Sequence, residues 1–293
     1  MQACILFTAS PSSESTVKNI RQLCREFGLE PGKTLSDGTS SCLAQEAHST
    51  ARIEFSALRE AAASYQIDVN EIQPDARIKK LLIADMDATI IRGESLDELA
   101  ALAGIGSQIS AITARAMAGE LDFEQALAAR LALLKGQPAS LLDAVVKGVK
   151  ITPGAHCLVA TMRAHGAECY LVSGGFTFLT SVIAQQLGFT GHHANQLGLT
   201  GSQLSGTALP PILGKQAKRD FLHHYCGQMN IPLSQSLCVG DGANDMMMLQ
   251  EAGLGVAFEG KPALRAAIDT QISYSDLTAL LYLQGYDARD FAA

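Results

Sequence analysis

Two acidic side chains, Asp85 and Asp87, come directly after an apolar run in the segment KKLLIADMDAT. Burying an unpaired carboxylate is costly, so two acids at the end of a buried strand need a cation or a shared proton. Mg²⁺ is a suitable partner, because it is a hard ion that takes carboxylate, carbonyl and phosphate oxygens. The alternative interpretation of the pair is a turn whose acids cap the next helix.

The segment GDGAND repeats this arrangement after the second apolar run SLCV, with Asp241 and Asp245 as its acids. Glycines in such a turn allow the backbone to approach a ligand closely, and the acids can complete a metal shell. A GDG turn is weak evidence by itself. Its presence in the same chain as DMDAT, each after an apolar strand, predicts one shared site.

A third polar segment, SGGF, begins with Ser173 and offers a hydroxyl and backbone N–H groups at the start of a predicted helix. Such a terminus binds anions, although a glycine turn with a serine N-cap is the alternative. Lys218 in GKQAKRDFL could neutralise a bound phosphate. Lys215 competes for that role, and a solvated lysine on a helix surface is the alternative for either.

The elements that must position these segments are parallel strands. The runs near Leu81, Ala167–Val172 and Ser236–Val239 each end in polar residues and alternate with helical patterns. This order predicts a doubly wound α/β core whose ligands bind beyond the carboxyl ends of the strands. The helical pattern of residues 95–150, inserted after the first strand, predicts a cap over those ends.

The first 76 residues predict a separate small domain. Their pattern reads as βαββαβ, the order of an α+β ferredoxin-like fold. The predicted elements are Ala3–Thr8, Glu14–Phe27, alternating runs over Lys33–Gln45, Phe55–Tyr65 and Ile67–Ile72. Turn residues at Gln73–Ala76 place the boundary, so the predicted domains are 1–76 and 77–293.

Composition excludes several classes of partner. The formal net charge of −7 and the lack of a Lys/Arg-rich run argue against nucleic acid. The seven scattered cysteines have no CxxC spacing, which is typical of free thiols in a reducing compartment. No apolar run approaches the roughly 20 residues of a membrane span, and MQACILFTAS does not resemble a secretory leader. We therefore expect a cytoplasmic protein without a membrane or nucleic-acid partner.

The order DMDAT, SGGF, helical lysine and GDGAND resembles the four motifs of the haloacid dehalogenase superfamily. Within it, SGGF with GDGANDMMML is similar to the phosphoserine phosphatases. The predicted cap segments ESLDELA and TARAMAGELDFEQALAARLALLKG are also similar to theirs. The resemblance covers roughly Lys79 to the C-terminus. It implies an Mg²⁺-dependent phosphomonoester hydrolase that converts O-phospho-L-serine to L-serine and phosphate, the last step of serine biosynthesis.

The resemblance also implies roles for individual residues. Asp85 would be the nucleophile that forms an aspartyl-phosphate, and Asp87 the general acid and then base. Asp85, the backbone carbonyl of Asp87, and Asp241 would ligate the metal, with Asp245 supporting that shell. The phosphoryl oxygens and the rest of the substrate would be held by Ser173, Gly174, Lys218, Glu94, Arg130, Met117, Phe123 and Asn244. Among these, Glu94 would take the ammonium and Arg130 the carboxylate.

One position departs from the family pattern, since Ala88 stands where DxDST has serine. Three readings remain open. They are phosphoserine hydrolysis, hydrolysis of another phospho-amino acid or small phosphomonoester, and an inactive phospho-amino-acid sensor. The N-terminal domain resembles amino-acid-binding regulatory modules, so serine feedback and homodimerisation through it are hypotheses.

Overall fold

The computed structural model describes residues 3–10, 13–37, 42–72, 77–117 and 120–292. The predicted boundary segment Gln73–Ala76 lies outside these ranges. Among the described helices, none combines the length and the hydropathy that crossing a bilayer would require.

An antiparallel four-stranded sheet and two helices form the N-terminal part. The strands and helices are β1 Ala3–Ala9, α1 Glu14–Glu26, β2 Glu30–Asp37, β3 Leu43–Ser49, α2 Phe55–Ala63 and β4 Asp68–Ile72. The strand order β2-β3-β1-β4 is that of a ferredoxin-like fold, as the sequence predicts. A capping box between Ser13 and Thr16 begins α1.

Side chains alternate between the two faces of this sheet because a strand has a period of two. Ile5 and Phe7 face α1 and α2 in one apolar cluster. Leu6 and Ala44 point the other way and join the large core that includes Tyr282, which is fully buried. The N-terminal sheet therefore has an apolar layer on each face, and one of these layers belongs to the remainder of the chain.

The remainder of the chain is an α/β structure with a seven-stranded sheet in the order β10-β9-β8-β5-β11-β12-β13. Its strands are β5 Leu81–Ala84, the short pair β6 Ile91–Arg92 and β7 Lys150–Ile151 outside that sheet, then β8 Glu168–Phe176, β9 Gly191–Thr200, β10 Gln203–Leu209, β11 Ser236–Gly240, β12 Leu254–Phe258 and β13 Thr270–Ile272. The helices of the insertion are α3 Ser95–Leu102, α4 Gly106–Met117, α5 Phe123–Leu133 and α6 Ser140–Gly148. Those of the core are α7 Ala155–Ala164, α8 Thr177–Leu187, α9 Ala217–Gln228, α10 Met246–Glu251, α11 Pro262–Arg265 and α12 Ala279–Leu283.

Helices cover both faces of the parallel strands, which is why β5 is apolar at every position. Leu82 and Ala84 face the apolar cluster that contains residues of α7 and α8. Leu81 and Ile83 face the opposite cluster, which contains residues of α9 and α10. The predicted doubly wound core and its helical insertion are both present.

The sheet differs from the prediction at one edge, where β10 runs antiparallel to β9. Only Gly201 and Ser202 separate these two strands, and so short a link joins antiparallel neighbours only. Gly201 adopts φ +61°, which suits such a turn. The hairpin also contacts the cap: a Cβ on Gly206 would lie 2.8 Å from Cβ of Lys135, just beyond α5. The glycine therefore lets β10 pack closely against the end of the helix that carries Arg130.

Asp68 on β4 connects the N-terminal sheet to the core through hydrogen bonds. Its buried carboxylate accepts backbone hydrogen bonds from Ser273, Tyr274 and Ser275 at 2.8 to 3.0 Å. Its neighbour on the strand, Asn70, exchanges hydrogen bonds of 2.8 and 2.9 Å with the backbone of Gln271. The sheet and the core are thus joined by polar contacts as well as by apolar packing.

Replacing Asp68 with alanine should lower the free energy of unfolding by roughly 2–4 kcal/mol, because three backbone donors lose their acceptor at a buried place. Urea denaturation measures this change. Glu71→Ala is the matched control, since Glu71 is exposed on the same strand; its effect should stay within about 0.5 kcal/mol. Equal effects of the two substitutions would contradict the claim that the hydrogen bonds of Asp68 stabilise the contact between the N-terminal sheet and the core.

Candidate active site

The three polar segments predicted from the sequence meet at the carboxyl ends of neighbouring strands. DMDAT follows β5, SGGF ends β8, and GDGAND follows β11. Together with the cap they enclose a cavity of about 180 Å³. Its lining residues are Asp85, Asp87, Glu94, Ser95, Leu96, Phe123, Leu127, Arg130, Ser173, Gly174, Gly175, Phe176, Asp241, Asn244 and Lys261. This volume is below the roughly 300–1,000 Å³ of sites for drug-sized ligands and suits a small metabolite.

Asp85 occupies the floor of this cavity and is buried. Its backbone N–H donates to the carbonyl of Val239 at 3.0 Å, which continues the pairing of β5 with β11. Its carboxylate Oδ1 accepts from the N–H of Met86 at 2.8 Å. Backbone contacts therefore fix the carboxylate at the edge of the sheet, pointing into the site.

Lys218 from α9 bridges two acids. Its Nζ lies 2.6 Å from Oδ1 of Asp85 and 2.5 Å from Oδ1 of Asp245, and all three side chains are buried. Burial disfavours the charged lysine, but Asp245 and Asp85 outweigh it and raise the pKa of Lys218. Lys215, the competing lysine, is exposed. Lys218 thus supplies a fixed positive charge at the floor of the cavity.

Asp87 lies beside Asp85 in a different environment. Its Oδ1 accepts from the N–H of Ser95 at 2.7 Å, and its Oδ2 accepts from the hydroxyl of Ser173 at 3.2 Å. Burial raises the pKa of Asp87, although these hydrogen bonds oppose the shift. A Cβ on Gly175 would lie 2.7 Å from Oδ2, so this position must be glycine to leave room for the carboxylate. The group is therefore held in place, and its raised pKa favours the protonated form more than in an exposed aspartate.

Ala88, the departure from the family pattern, has left-handed backbone dihedrals of φ +53° and ψ 10°. Its N–H donates to the carbonyl of Gly93 at 2.9 Å, which closes the loop between Asp87 and the cap. Left-handed dihedrals are strained for a residue with a Cβ. The residue therefore shapes the loop through its backbone.

Carboxylate oxygens of Asp85, Asp241 and Asp245 all lie within 4.8 Å of one another, and all three residues are buried. Buried carboxylates this close repel, and burial together with the charge of Asp245 raises the pKa of Asp85 well above its usual range. A divalent cation would relieve the repulsion, and a set of oxygen donors fits a hard ion. The cluster can therefore hold a metal. The side chain of Asp87 is outside it.

Asp245 was expected to support the metal shell from behind. The structure places its carboxylate within the cluster itself, while its Oδ2 accepts from the N–H of Gly242 at 3.0 Å. Gly240 allows this position, because a Cβ there would lie 2.2 Å from Cγ of Asp245. Asp245 thus lies within the acidic cluster, while its two carboxylate oxygens accept hydrogen bonds from Lys218 and Gly242 and so shape the loop.

Ser173 and Gly174 lie on the opposite wall, beneath the N-terminus of α8. The Ser173 hydroxyl accepts from the N–H of Gly175 at 2.8 Å, which fixes the turn. Asn195, a buried residue that sequence reasoning missed, donates to the carbonyl of Gly174 at 2.9 Å and accepts from the N–H of Leu213 at 2.7 Å. The wall is therefore rigid, as an anion site needs to be.

The cap contributes Glu94, Phe123 and Arg130 to the cavity. Glu94 begins α3, and its pKa is raised by burial and then by Asp87. Arg130 lies on α5, where its Nε donates to the carbonyl of Ala126 at 3.3 Å. The ring of Phe123 lies over Gly174 and joins the cap to the core. The side chain of Met117 lies outside the described residues, and Asn244 lines the cavity from the core side.

Lys261 is a charged cavity residue that sequence reasoning missed. Its Nζ lies 2.9 Å from Oδ2 of Asp241 and 3.5 Å from Oε1 of Glu94, and its backbone N–H donates to the carbonyl of Asp241 at 2.8 Å. It follows β12, the next strand after β11 in the sheet. The rule that ligands bind beyond the carboxyl ends of parallel strands was the signal that could have found it.

Residues 79–253 match the model of the haloacid dehalogenase-like hydrolases. A phosphoserine phosphatase of Streptomyces coelicolor is 39% identical over 239 residues, which are 81% of this chain and 58% of that protein. A phosphoserine phosphatase of Lactococcus lactis is 41% identical over 69% of this chain and 94% of that protein. The crystal structure of a probable phosphoserine phosphatase from Vibrio cholerae, in its unliganded form, has a TM-score of 0.81 and 28% identity, covering 98% of this chain and 88% of that one.

The chain thus spans less than two thirds of the length of some of the curated relatives it matches, among them the Streptomyces protein. The matched segment nevertheless contains β5, β8 and β11 and the three polar segments at their carboxyl ends; Lys261 lies beyond it. The agreement of sequence, fold and site shows that this chain belongs to the haloacid dehalogenase-like hydrolases.

Proposed function

We propose that the chain is a phosphoserine phosphatase, which hydrolyses O-phospho-L-serine to L-serine and phosphate as the last step of serine biosynthesis. The observation that carries the proposal is a cavity with charged groups on two sides. Asp85, which is paired with the buried Lys218, lies on its core side, and a carboxylate and a guanidinium, Glu94 and Arg130, face it from the cap. Curated relatives over most of the chain's length are phosphoserine phosphatases, which supports the same substrate.

In this proposal, Asp85 attacks the phosphorus atom and the ester bond to the serine oxygen breaks. The product of this step is an aspartyl-phosphate. Asp87 donates its proton to the departing serine oxygen, which its raised pKa favours. The same carboxylate then takes a proton from the water that hydrolyses the intermediate. The two neighbouring acids can take different roles because their contacts differ. Asp85, the proposed nucleophile, contacts a lysine, whereas Asp87, the proposed acid and base, contacts only neutral donors.

Charge on the transferred group is balanced by fixed donors. Lys218 and the Ser173–Gly174 turn would hold the phosphoryl oxygens, so most of the rate acceleration comes from positioning and charge. We propose Mg²⁺ as the ion, bound by Asp85, Asp241 and the backbone carbonyl of Asp87, with Asp245 beside them; it would neutralise charge on the phosphoryl oxygens. The oxygen-only donor set supports this choice.

Substrate choice is assigned to the cap. The ammonium of phosphoserine would pair with Glu94 and its carboxylate with Arg130, whose planar guanidinium can bind a carboxylate through two hydrogen bonds. Phe123 and Met117 would close the site over the substrate, and Asn244 would contact it from the core. Lys261 contacts Glu94, so it would limit the positions that the Glu94 carboxylate can take.

Arg130→Ala and Glu94→Gln test the substrate. Each should lower kcat/KM for O-phospho-L-serine about 100-fold, because a charge-assisted pair with the substrate is lost. With p-nitrophenyl phosphate, which has neither an ammonium nor a carboxylate, the loss should stay below about threefold. Arg115→Ala is the matched control in the cap, since Arg115 is exposed and paired with Glu120. Equal losses on both substrates would refute the assigned pocket and leave a phosphatase of another phosphomonoester.

The remaining assignments are also proposals. Residues 1–76 would form one domain and 77–293 the catalytic domain with its cap at about 95–150. Homodimerisation through the first domain and feedback by serine are proposed only as functions to test. The free cysteines of the described residues support a reducing, cytoplasmic location.

A further inference from the structure

One face of the N-terminal sheet places a thiol, an imidazole and a carboxylate together, far in sequence from the residues of the active site. Cys4 on β1 lies directly opposite His48 on β3 in the antiparallel register. Glu46 is two residues from His48 on the same strand, so its side chain points to the same face. Possible ligand atoms of the three residues all lie within 4.8 Å of one another.

We propose that Cys4, Glu46 and His48 form a second metal site, for a divalent transition ion of the Zn²⁺ class. A mixed set of sulfur, nitrogen and oxygen donors suits such an ion and does not suit Mg²⁺. Ligand atoms of a tetrahedral zinc site lie roughly 3.3–3.8 Å apart, given bonds of about 2.0–2.3 Å. The ligand atoms, which lie within 4.8 Å of one another, would move closer together when an ion binds, and water would be the fourth ligand.

Glu46 is the anchor of this site. It is buried, with 7% of its surface exposed, and its Oε1 accepts from NH1 of Arg77 at 2.8 Å. The second oxygen of the carboxylate is the one that would bind the ion. A charged donor behind a ligating carboxylate holds it in orientation, so Arg77 would act as an outer-shell partner of the metal.

A glycine on the neighbouring strand β2 leaves room for the imidazole ring of His48. A Cβ on Gly32 of β2 would lie 2.7 Å from Nε2 of His48, so a side chain at this position would collide with the imidazole. The pairing of β2 with β3 shifts register between Pro31 and Thr34, around this glycine. The edge of the sheet therefore accommodates the ring on the face that carries Cys4 and Glu46.

Binding at this site would also join the N-terminal sheet to the core. Arg77 donates to the carbonyl of Tyr282 at 3.0 Å and to that of Leu283 at 3.3 Å, the last two residues of the buried helix α12. An ion on Glu46 would thus be connected through Arg77 to the catalytic part of the chain. We infer a structural ion that stabilises this junction and takes no part in the reaction.

Titration of the full chain with Co²⁺ tests the site by a signal that the active site cannot give. A near-ultraviolet band from thiolate-to-cobalt charge transfer requires a sulfur ligand, and the acidic cluster at the active site contains no cysteine. We expect the band in the native chain, its removal by added Zn²⁺, and a higher Tm in the presence of Zn²⁺.

Cys4→Ser should abolish the band, and His48→Ala should weaken Co²⁺ binding at least about tenfold. Cys24→Ser is the matched control, because Cys24 is a buried thiol of α1 on the other face of the same sheet; it should keep the band. His48→Ala leaves every cysteine in place, so it tests the proposal even if Cys4→Ser does not fold. A native chain without the band, a folded Cys4→Ser variant that keeps the band, or a His48→Ala variant that binds Co²⁺ as tightly as the native chain would each overturn the proposal.

Discussion

Asp85→Asn should abolish metal-dependent phosphate release, with a fall in kcat of at least roughly 10⁴-fold. The amide has the shape of the carboxylate but cannot form a stable covalent bond to phosphorus. The variant would also lose a carboxylate from the proposed metal site, and it loses the 2.6 Å ion pair with Lys218. Steady-state release of phosphate from O-phospho-L-serine measures the change.

The Asp85 variant should remain folded, which separates lost chemistry from lost structure. Asp85 is buried beside the like charge of Asp245, and Lys218 keeps Asp245 as a partner after the substitution. Removing one of two repelling carboxylates should therefore leave the Tm close to that of the native chain. A variant with the native Tm that retained more than a few per cent of the native rate would exclude Asp85 as the nucleophile.

Asp87→Asn should lower kcat for O-phospho-L-serine by about 10²–10⁴-fold, the usual contribution of a general acid and base. The hydrogen bonds from Ser95 and Ser173 can still be accepted by the amide oxygen, so the loop should keep its shape. The serine alkoxide is a poor leaving group and would need the proton that Asp87 is proposed to donate. The second step, attack of water, would need Asp87 as the base.

p-Nitrophenyl phosphate separates these two steps. Nitrophenolate leaves without a proton, so the Asp87 variant should release about one equivalent per enzyme in a fast burst and then turn over slowly. The Asp85 variant should give no burst. A steady rate of nitrophenolate release from the Asp87 variant at the native level, with no burst, would show that Asp87 is neither the acid nor the base.

Much of the core and of its site follows from local sequence. Apolar runs that end in acids, as at Leu81–Asp85, have a clear physical meaning, because a strand covered on both faces must be apolar until it reaches the ligand-binding edge. The same reasoning brought Ser173 and Asp241 to that edge. Lys218 could be separated from Lys215 only by the resemblance to the family, and the structure shows Lys218 buried between two acids.

Other features of the site and the sheet depend on tertiary contacts, which leave no recognisable pattern in the local sequence. Lys261 and Asn195 are single polar residues whose partners, Asp241 and Gly174, are distant in the sequence. The left-handed backbone of Ala88 could not be expected, because alanine rarely adopts it. The antiparallel edge strand β10 was missed because its turn, Gly201–Ser202, was not recognised as a hairpin link.

The junction between the N-terminal sheet and the core was also beyond local reasoning. The sequence predicted two domains with a boundary between them, and such a boundary suggests few contacts. The structure instead shows contacts across the junction: Asp68 binds backbone groups of the core, and Arg77 binds Glu46 of the N-terminal sheet. A buried acid in a strand gives no sign of its acceptor role until its partners are known.

Phosphate release from O-phospho-L-serine by the purified chain, measured with Mg²⁺ and after removal of divalent metal by a chelator, tests the central claim most directly. We predict release that requires the metal and returns when Mg²⁺ is restored. Turnover of other phosphomonoesters without turnover of phosphoserine would contradict the proposed substrate. No release from any phosphomonoester in the presence of Mg²⁺ would contradict the proposed phosphatase itself.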